Sequence, residues 1–118
     1  MTTTAIGIEH TRAGGLERVT GEQQYVADIK VADVLQVKLV SLDVSRARIL
    51  SIDTSAAEAL PGVRLVMTAA DLPQPVPRFG PHAEDRPVLA VGQVNYHGEP
   101  VAAVAAETRE IAEAGARL

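Results

Sequence analysis

The pattern of apolar and polar positions predicts a series of short strands. Residues 35–39 alternate apolar and polar side chains, which is typical of a half-buried strand. The run 101–106 is apolar throughout; its alanines fit a helix, but Pro100 and the shortness of the run favour a buried strand. Runs of branched and apolar residues predict further strands at 24–29, 46–52, 63–68, 88–91 and 94–96.

Two helices are predicted between and after these strands. Asp53, Thr54 and Ser55 are N-cap candidates for a short helix at 56–60, which Pro61 ends. Thr108 is placed to cap a second helix over 109–118. Within it, Arg109 with Glu113 and Glu113 with Arg117 form i,i+4 pairs of opposite charge. We therefore predict an α+β fold in which two helices pack on a short mixed sheet.

The segment between the predicted strands at 63–68 and 88–91 contains most of the prolines. Asp71 is predicted to cap a turn that follows Thr68. Residues 73–87 then carry Pro73, Pro75, Pro77 and Pro81, and each lacks the N–H that a strand ladder needs. We predict a long loop there, and the alternatives of a functional contact and a plain connector stay open.

The two ends of the chain differ from its middle. Residues 1–20 are polar and glycine-bearing, and they predict either an extended arm or a disordered terminus. Residues 21–118 are predicted to form one domain. The last helix reaches Leu118 without a capping Gly or Pro, so we expect this domain to be truncated at its C-terminus.

Composition excludes several classes of function. The chain has no cysteine, so it offers neither disulfides nor thiolate ligands for zinc or iron–sulfur clusters. The net charge of −4, with one Phe, two Tyr and no Trp, argues against nucleic-acid binding. No apolar run approaches the ~20 residues of a membrane span, and residues 1–9 lack the features of a secretory signal. We therefore expect a cytoplasmic protein.

No arrangement of residues in the sequence predicts an active site. His10, His82 and His97 are far apart, and His97-Gly98-Glu99 only superficially matches the H-x-E of zinc deaminases, whose two cysteine ligands are missing. Polar residues elsewhere are interpreted structurally: Asp53 as a helix cap, Glu84-Asp85 as solvated surface, and Arg46 with Arg48 as a solvated strand edge rather than an anion site. The prediction is therefore no catalytic, cofactor-binding or metal-ligating residue in this chain.

Several short segments, taken in order, are characteristic as a set. They are Val19-Thr20-Gly21, Tyr25 with Asp28-Ile29, Ala47-Arg48-Ile49 with Ile52-Asp53, Leu60-Pro61-Gly62-Val63, Asp71-Leu72-Pro73, Pro87-Val88-Leu89-Ala90, and Gly98-Glu99-Pro100-Val101-Ala102 followed by Val104-Ala105-Ala106-Glu107-Thr108. From about Arg18 to Leu118 this order resembles the N-terminal α/β hammerhead domain of the molybdenum hydroxylase large subunit, the family of xanthine dehydrogenase and aldehyde oxidase. The chain departs from the family at residues 41–46, where a Ser-Pro-His-Ala-His-like stretch is usual, and at Glu99, where Gln is frequent.

The resemblance implies a role for the whole enzyme rather than for this chain. It implies an oxidoreductase in which a molybdenum–pterin centre hydroxylates an N-heterocycle or an aldehyde, with [2Fe–2S] clusters and FAD carrying electrons. The partners implied are the downstream molybdenum-cofactor domains and the iron–sulfur and flavin subunits or domains, and this chain would be an inactive scaffold. The alternative is a stand-alone interaction or binding module without a redox role.

Overall fold

The computed structural model describes residues 12–118, and the chain divides into two compact units between Ala32 and Asp33. His10, one of the three histidines, lies outside the described residues.

The described part of the first unit contains a helix and a tight turn. Helix α1 spans Gly15–Thr20, so the predicted extended arm is wrong there, because Leu, Glu and Arg between the bounding glycines favour a helical turn. The predicted strand at 24–29 is also wrong, since Val26–Asp28 forms a 3-10 turn. The Asp28 carboxylate accepts the backbone N–H of Tyr25 at 2.9 Å, which holds the turn closed.

The second unit contains the strands and the two remaining helices. The helices are α2 (Ser55–Glu58) and α3 (Arg109–Gly115). The strands are β1 (Gln36–Ser41), β2 (Ala47–Arg48), β3 (Val63–Thr68), β4 (Arg78–Phe79), β5 (Arg86–Pro87), β6 (Gln93–Val94) and β7 (Pro100–Ala106). The α+β class is confirmed, and the strands predicted at 35–39, 63–68 and 101–106 are the three long ones.

These three long strands form one sheet in the order β1-β7-β3. Both neighbours run antiparallel to β7. The sheet is therefore antiparallel, and the prediction of a mixed sheet is wrong in this respect. Val104 pairs with Lys38 of β1 and Val66 of β3, whereas Ala105 pairs with Val37 and Leu65. Because side chains alternate along a strand, these two sets point to opposite faces of the sheet.

Helix α3 covers one of the two faces. A Cβ atom at Gly115 would lie 3.0 Å from Cγ1 of Val104, so this glycine lets the helix approach the sheet closely. Val104, Ala106 and Ala112 are buried between helix and sheet. The face that carries Lys38, Val40, Val66, Ala102 and Val104 is called the covered face below.

The proline-rich segment is not simply a loop. Arg78 and Phe79 pair antiparallel with Pro87 and Arg86, which corrects the prediction that the prolines exclude any ladder. Pro87 is tolerated because this ladder is only two residues long, and the next amide, that of Val88, donates to the Pro77 carbonyl at 3.0 Å.

Other predicted strands are shorter in the structure. Only Ala47–Arg48 of 46–52 and Val94 of 94–96 lie in a ladder, where β2 pairs with β6, and residues 88–91 form no strand. The Ile49 amide instead donates to the Gly92 carbonyl, and the Ala90 amide to the Pro100 carbonyl. Ala90, Val94 and Val101 form a buried cluster there, with Val40 and Ile49 packed against it.

The predicted helix at 56–60 starts one residue earlier and ends at Glu58. Its N-cap is Thr54, so the interpretation of Asp53 as the cap is wrong by one position. Asp53 nevertheless accepts hydrogen bonds from the N–H and Oγ of Ser55, at 3.0 and 2.6 Å. Thr108 caps α3 as predicted, since its hydroxyl accepts the Ile111 amide at 3.3 Å.

Candidate functional site

Glu99 is the one buried charged residue in the described part of the chain. It immediately precedes β7, and its relative exposure is 0%. Its Oε2 atom accepts the backbone N–H of Asn95 at 2.5 Å, and its own amide donates to the Tyr96 carbonyl at 3.2 Å. Its Oε1 atom is buried and has no hydrogen-bond partner among the described residues. Leaving such an atom unpaired costs about 1–3 kcal/mol.

Glu99 lies in the wall of a cavity of about 450 Å³. The charged residues of this wall are two arginines and two carboxylates: Arg78, Arg86, Asp85 and Glu99. Its other lining residues are Pro87, Val91, Gln93, Asn95 and Tyr96. The guanidinium of Arg86 lies 5.7 Å from the centre of the Tyr96 ring, a cation–π distance. The volume is within the usual range of ligand pockets, and the formal charges of the wall cancel.

Two of the donors in this wall, Arg78 and Gln93, have acceptors within the domain. The Arg78 guanidinium donates to the backbone carbonyls of Glu84 and Asp85, which holds the turn of the β4–β5 hairpin. The Gln93 side-chain amide donates to Asn95 Oδ1 at 2.8 Å. Neither of these contacts reaches Glu99.

His97 and His82, the two histidines within residues 12–118, belong to no cluster of metal-ligating side chains. His97 Nε2 lies 2.7 Å from Asp43 Oδ1, and both side chains are exposed. This contact joins the segment after β1 to the turn before β7. His82 is exposed in the proline-rich segment.

The remaining polar candidates lie at the surface. Glu84, Asp85, Arg46 and Arg48 are all exposed, although Asp85 also lines the Glu99 cavity. Asp71 accepts the Thr68 amide at 2.8 Å and the Thr68 hydroxyl at 2.9 Å, as the turn prediction required. These hydrogen bonds lower the pKa of Asp71, with the backbone one contributing most. The hydrogen bonds that Ser55 donates to Asp53 lower the pKa of Asp53 in the same way, and the one from the Ser55 hydroxyl contributes most.

An iron–sulfur cluster does not fit the described residues, which include no cysteine. Over residues 12–118 no three His, Cys, Asp or Glu side chains come together in a way that could hold a metal ion. The prediction of no catalytic or cofactor-binding residue stays a prediction. Nor does any helix in this range have the length and apolar character needed to cross a membrane.

The sheet has a second feature that bears on function. The face opposite α3, called the open face below, consists of Val37, Leu39, Leu65, Met67, Ala103 and Ala105. Val37, Leu39 and Leu65 are 62%, 54% and 47% exposed. Contiguous exposed apolar residues of this kind mark interaction surfaces. The sequence predicted the strands but not which face would stay open, because alternation alone does not say what lies above each face.

Comparison with known proteins identifies the family. Residues 20–118 match the family described as "Aldehyde oxidase and xanthine dehydrogenase, a/b hammerhead domain". The chain belongs to this family, which confirms the resemblance found in its sequence.

Individual relatives agree with the family assignment. The chain is 42% identical over 107 residues to a probable xanthine dehydrogenase subunit of Bacillus subtilis, covering 91% of this chain and 14% of the relative. Among solved structures, CO dehydrogenase from Oligotropha carboxidovorans superposes with a TM-score of 0.88 at 38% identity, covering 95% of this chain and 14% of that one. Quinoline 2-oxidoreductase from Pseudomonas putida 86 superposes with a TM-score of 0.87 at 34% identity, covering 98% of this chain and 16% of that one. The chain thus spans about one seventh of the length of these relatives.

Proposed function

We propose that this chain is the structural hammerhead domain, beginning near residue 21, of the large subunit of a molybdenum-cofactor-dependent hydroxylase. The substrate proposed for the whole enzyme is an N-heterocycle, with purines first, and an aldehyde second. The names of the xanthine and quinoline relatives support the heterocycle, and family membership supports the reaction class. The observation that carries the structural role is the open face of the sheet.

The open face is suited to packing against another part of the same protein. Sheets in stable domains bury at least one apolar face, and α3 already provides that on the covered side. The open side still presents Val37, Leu39 and Leu65 to solvent. The matched relatives are about seven times longer than this chain, so a further layer of polypeptide is a natural occupant. We propose that the molybdenum-cofactor domains of the large subunit cover this face.

The chemistry is assigned to other parts of the enzyme. Bound in those domains, the molybdenum–pterin cofactor supplies hydroxylation with water as the oxygen source. We propose that [2Fe–2S] clusters and FAD, in iron–sulfur and flavin subunits or domains, carry the electrons away. The chain has no cysteine and so cannot ligate those clusters itself. Its own contribution is to bind and position the neighbouring domains.

Metal analysis combined with isotope labelling tests this proposal. The full-length protein, purified with its partner subunits, is assayed for molybdenum and for oxidation of xanthine, quinoline and an aldehyde in ¹⁸O-labelled water. We expect stoichiometric molybdenum and label in the hydroxylated product. The 118-residue chain alone is the control, and it should contain no molybdenum. Full-length protein that lacks molybdenum or oxidises none of these substrates would contradict the proposal.

A further inference from the structure

We propose that a basic groove between helix α3 and strand β1 binds an acidic segment of the large subunit that lies outside residues 1–118. The charged residues that line this groove are Lys38, Arg109, Glu113 and Arg117. The acidic segment belongs to the layer of polypeptide that covers the open face. The inference rests on the proposed function in one respect, the assumption that this domain is part of a longer chain, and it adds the chemistry of the contact.

Two adjoining cavities make up the basic groove. Their volumes are about 340 and 310 Å³, and they share Lys38 and Glu113 as wall residues. The larger one extends to Arg109 at the start of α3, and the smaller one extends to Arg117, just beyond the end of this helix. The side chains of Arg109 and Arg117 are 80% and 78% exposed, and Lys38 is exposed as well. Solvent, and therefore an incoming side chain, reaches all three cations.

The groove carries more positive than negative charge. Three cations and one carboxylate, that of Glu113, line it, which leaves a formal charge of +2 in a chain whose net charge is −4. Arg109 Nε donates to Glu113 at 3.0 Å, whereas Arg117 Nη2 lies 3.9 Å from the same carboxylate, beyond hydrogen-bond length. Lys38 forms no salt bridge with any of the described residues. Two of the three cations therefore lack a carboxylate at hydrogen-bond distance within the described part of the chain.

The position of the groove connects it to the open face. Strand β1 is an edge strand of the sheet, and Val37 and Leu39, which belong to the open face, also line the groove. Polypeptide that packs on these two residues reaches the groove by passing over the edge of β1. Protein interfaces commonly combine an apolar centre with a polar rim, and carboxylates pair strongly with arginine and lysine. The groove thus supplies a basic rim to the apolar open face, and acidic residues are its complement.

The occupant is the large subunit itself rather than a free anion or a separate subunit. The matched relatives are about seven times longer than this chain, so most of their polypeptide is covalently attached to the corresponding domain. Attachment raises the effective concentration of a neighbouring segment to the order of millimolar. Because an exposed ion pair is individually weak, this advantage favours an attached segment over any occupant that must bind from solution.

Zero-length cross-linking of the full-length protein, purified with its partner subunits, tests the proposal. A carbodiimide joins a lysine amine to a carboxylate only where the two groups are in contact, so the product records an ion pair. Residues 1–118 contain two lysines, Lys30 and Lys38, and both are exposed, so Lys30 is an internal control. We expect Lys38 to be joined, in higher yield than Lys30, to an Asp or Glu outside residues 1–118 in a product that runs as a single large subunit. Mass spectrometry identifies the partner, and Lys38→Arg should abolish the product.

Removing charge from the groove gives a second measurement. The double substitution Lys38→Gln with Arg117→Gln takes two positive charges from it. Arg46→Gln with Arg48→Gln is the matched control, since it takes the same charge from exposed positions that do not line the groove. The first variant should speed hydrogen–deuterium exchange of the cross-linked acidic segment about threefold or more, as the loss of two weak ion pairs predicts. The control should leave exchange of that segment unchanged.

Other outcomes overturn the inference. A Lys38 cross-link confined to Glu113 would mean that the groove satisfies itself, and one to another subunit or to a second copy would assign a different occupant. A Lys38 yield no higher than that of Lys30 would mean that no carboxylate is held there. Equal exchange in the two double variants would reduce the effect to net charge. Should the groove variant not accumulate, cross-linking of the wild-type protein decides alone. Molybdenum content, measured on the same samples, reports separately on the proposed function.

Discussion

The covered and open faces of the sheet are built from the same three strands but differ in what lies above them. On the covered face, Val104 is 1% exposed beneath α3. The next residue of β7, Ala105, lies on the open face. It is flanked there by Val37 and Leu65, whose side chains are about half exposed. The first face is complete within this chain. The second has the apolar composition of a core but lacks the layer that would make it one.

The largest expected effect comes from placing a charge on each face in turn. Val104→Asp buries an unpaired carboxylate under α3 and should destabilise the domain by about 4 kcal/mol or more. Val37→Asp puts the same group on the open face, which is solvent-accessible within this domain, and should cost the strand itself about 1 kcal/mol or less, because the main cost falls on the contact with the other domains. Exchange of the β7 amides in the full-length protein measures both effects.

Association with the rest of the enzyme should respond in the reverse order. Val37→Asp should leave residues 100–106 protected while weakening the packing of this domain against the remaining polypeptide, seen as proteolytic release of the domain. Equal loss of β7 protection in both variants would show that the two faces are equally buried in the full-length protein. Retention of the domain in Val37→Asp would show that the open face is not the docking surface.

A smaller effect is expected where the chain turns beneath α3. Gly62 has φ +89°, and a Cβ there would lie 2.7 Å from Ile111 Cδ1 on the helix that covers the sheet. Gly62→Ala should therefore cost about 2 kcal/mol, from the left-handed backbone and from displacement of Ile111. The unfolding free energy, taken from denaturant titration or β7 exchange, measures this.

Gly92→Ala is the control that separates these two causes. Gly92 also has a positive φ, +69°, but a Cβ there meets nothing within 4 Å. It should show only the backbone cost of about 1 kcal/mol. If the two substitutions cost the same, the close approach of α3 at Gly62 contributes nothing to the stability of the covered face.

The sequence predicted those parts of the fold that depend on local pattern. The strand at Val63–Thr68 has the predicted bounds, since Pro61-Gly62 starts it and the Thr68–Asp71 turn ends it. The prediction at 24–29 was wrong because one side chain, Asp28, captures a backbone amide there, and apolar content carries no signal of that. The β4–β5 ladder could not be predicted from its prolines alone. A proline disrupts a ladder only where its missing N–H would face the partner strand, and the sequence does not show which strand that is.

The candidate site was less predictable than the fold. The sequence marks Glu99 only as part of a spurious H-x-E motif and as a departure from the family pattern. Its burial follows from its position directly before a fully apolar strand, Pro100–Ala106, which is the signal that could have found it. The cavity itself could not be predicted, because it joins the β4–β5 hairpin to the turn before β7, and no periodicity links those segments.

The smallest expected effect concerns the charged residues around Glu113, where α3 lies beside β1 on the covered face. The Arg109 hydrogen bond, aided by its charge, lowers the pKa of Glu113 on α3 below 4.5, and Lys38 of β1 and Arg117 add smaller contributions. A lowered folded-state pKa means that Glu113 contributes stability above pH 4.5, and that this contribution is lost as pH falls through the lowered value. The carboxyl resonance of Glu113 in the isotopically labelled chain reports its titration directly.

Three substitutions rank the sources of this shift. Arg109→Gln should raise the pKa of Glu113 most, and Lys38→Gln should raise it less. Arg64→Gln should leave it unchanged, because Arg64 pairs with Glu107 instead. The Lys38 effect exists only if α3 lies on the Lys38 side of the sheet. A Glu113 titration that responds to Arg109→Gln but not to Lys38→Gln would therefore remove the electrostatic link between α3 and β1 and leave apolar packing as the only distinction between the two faces.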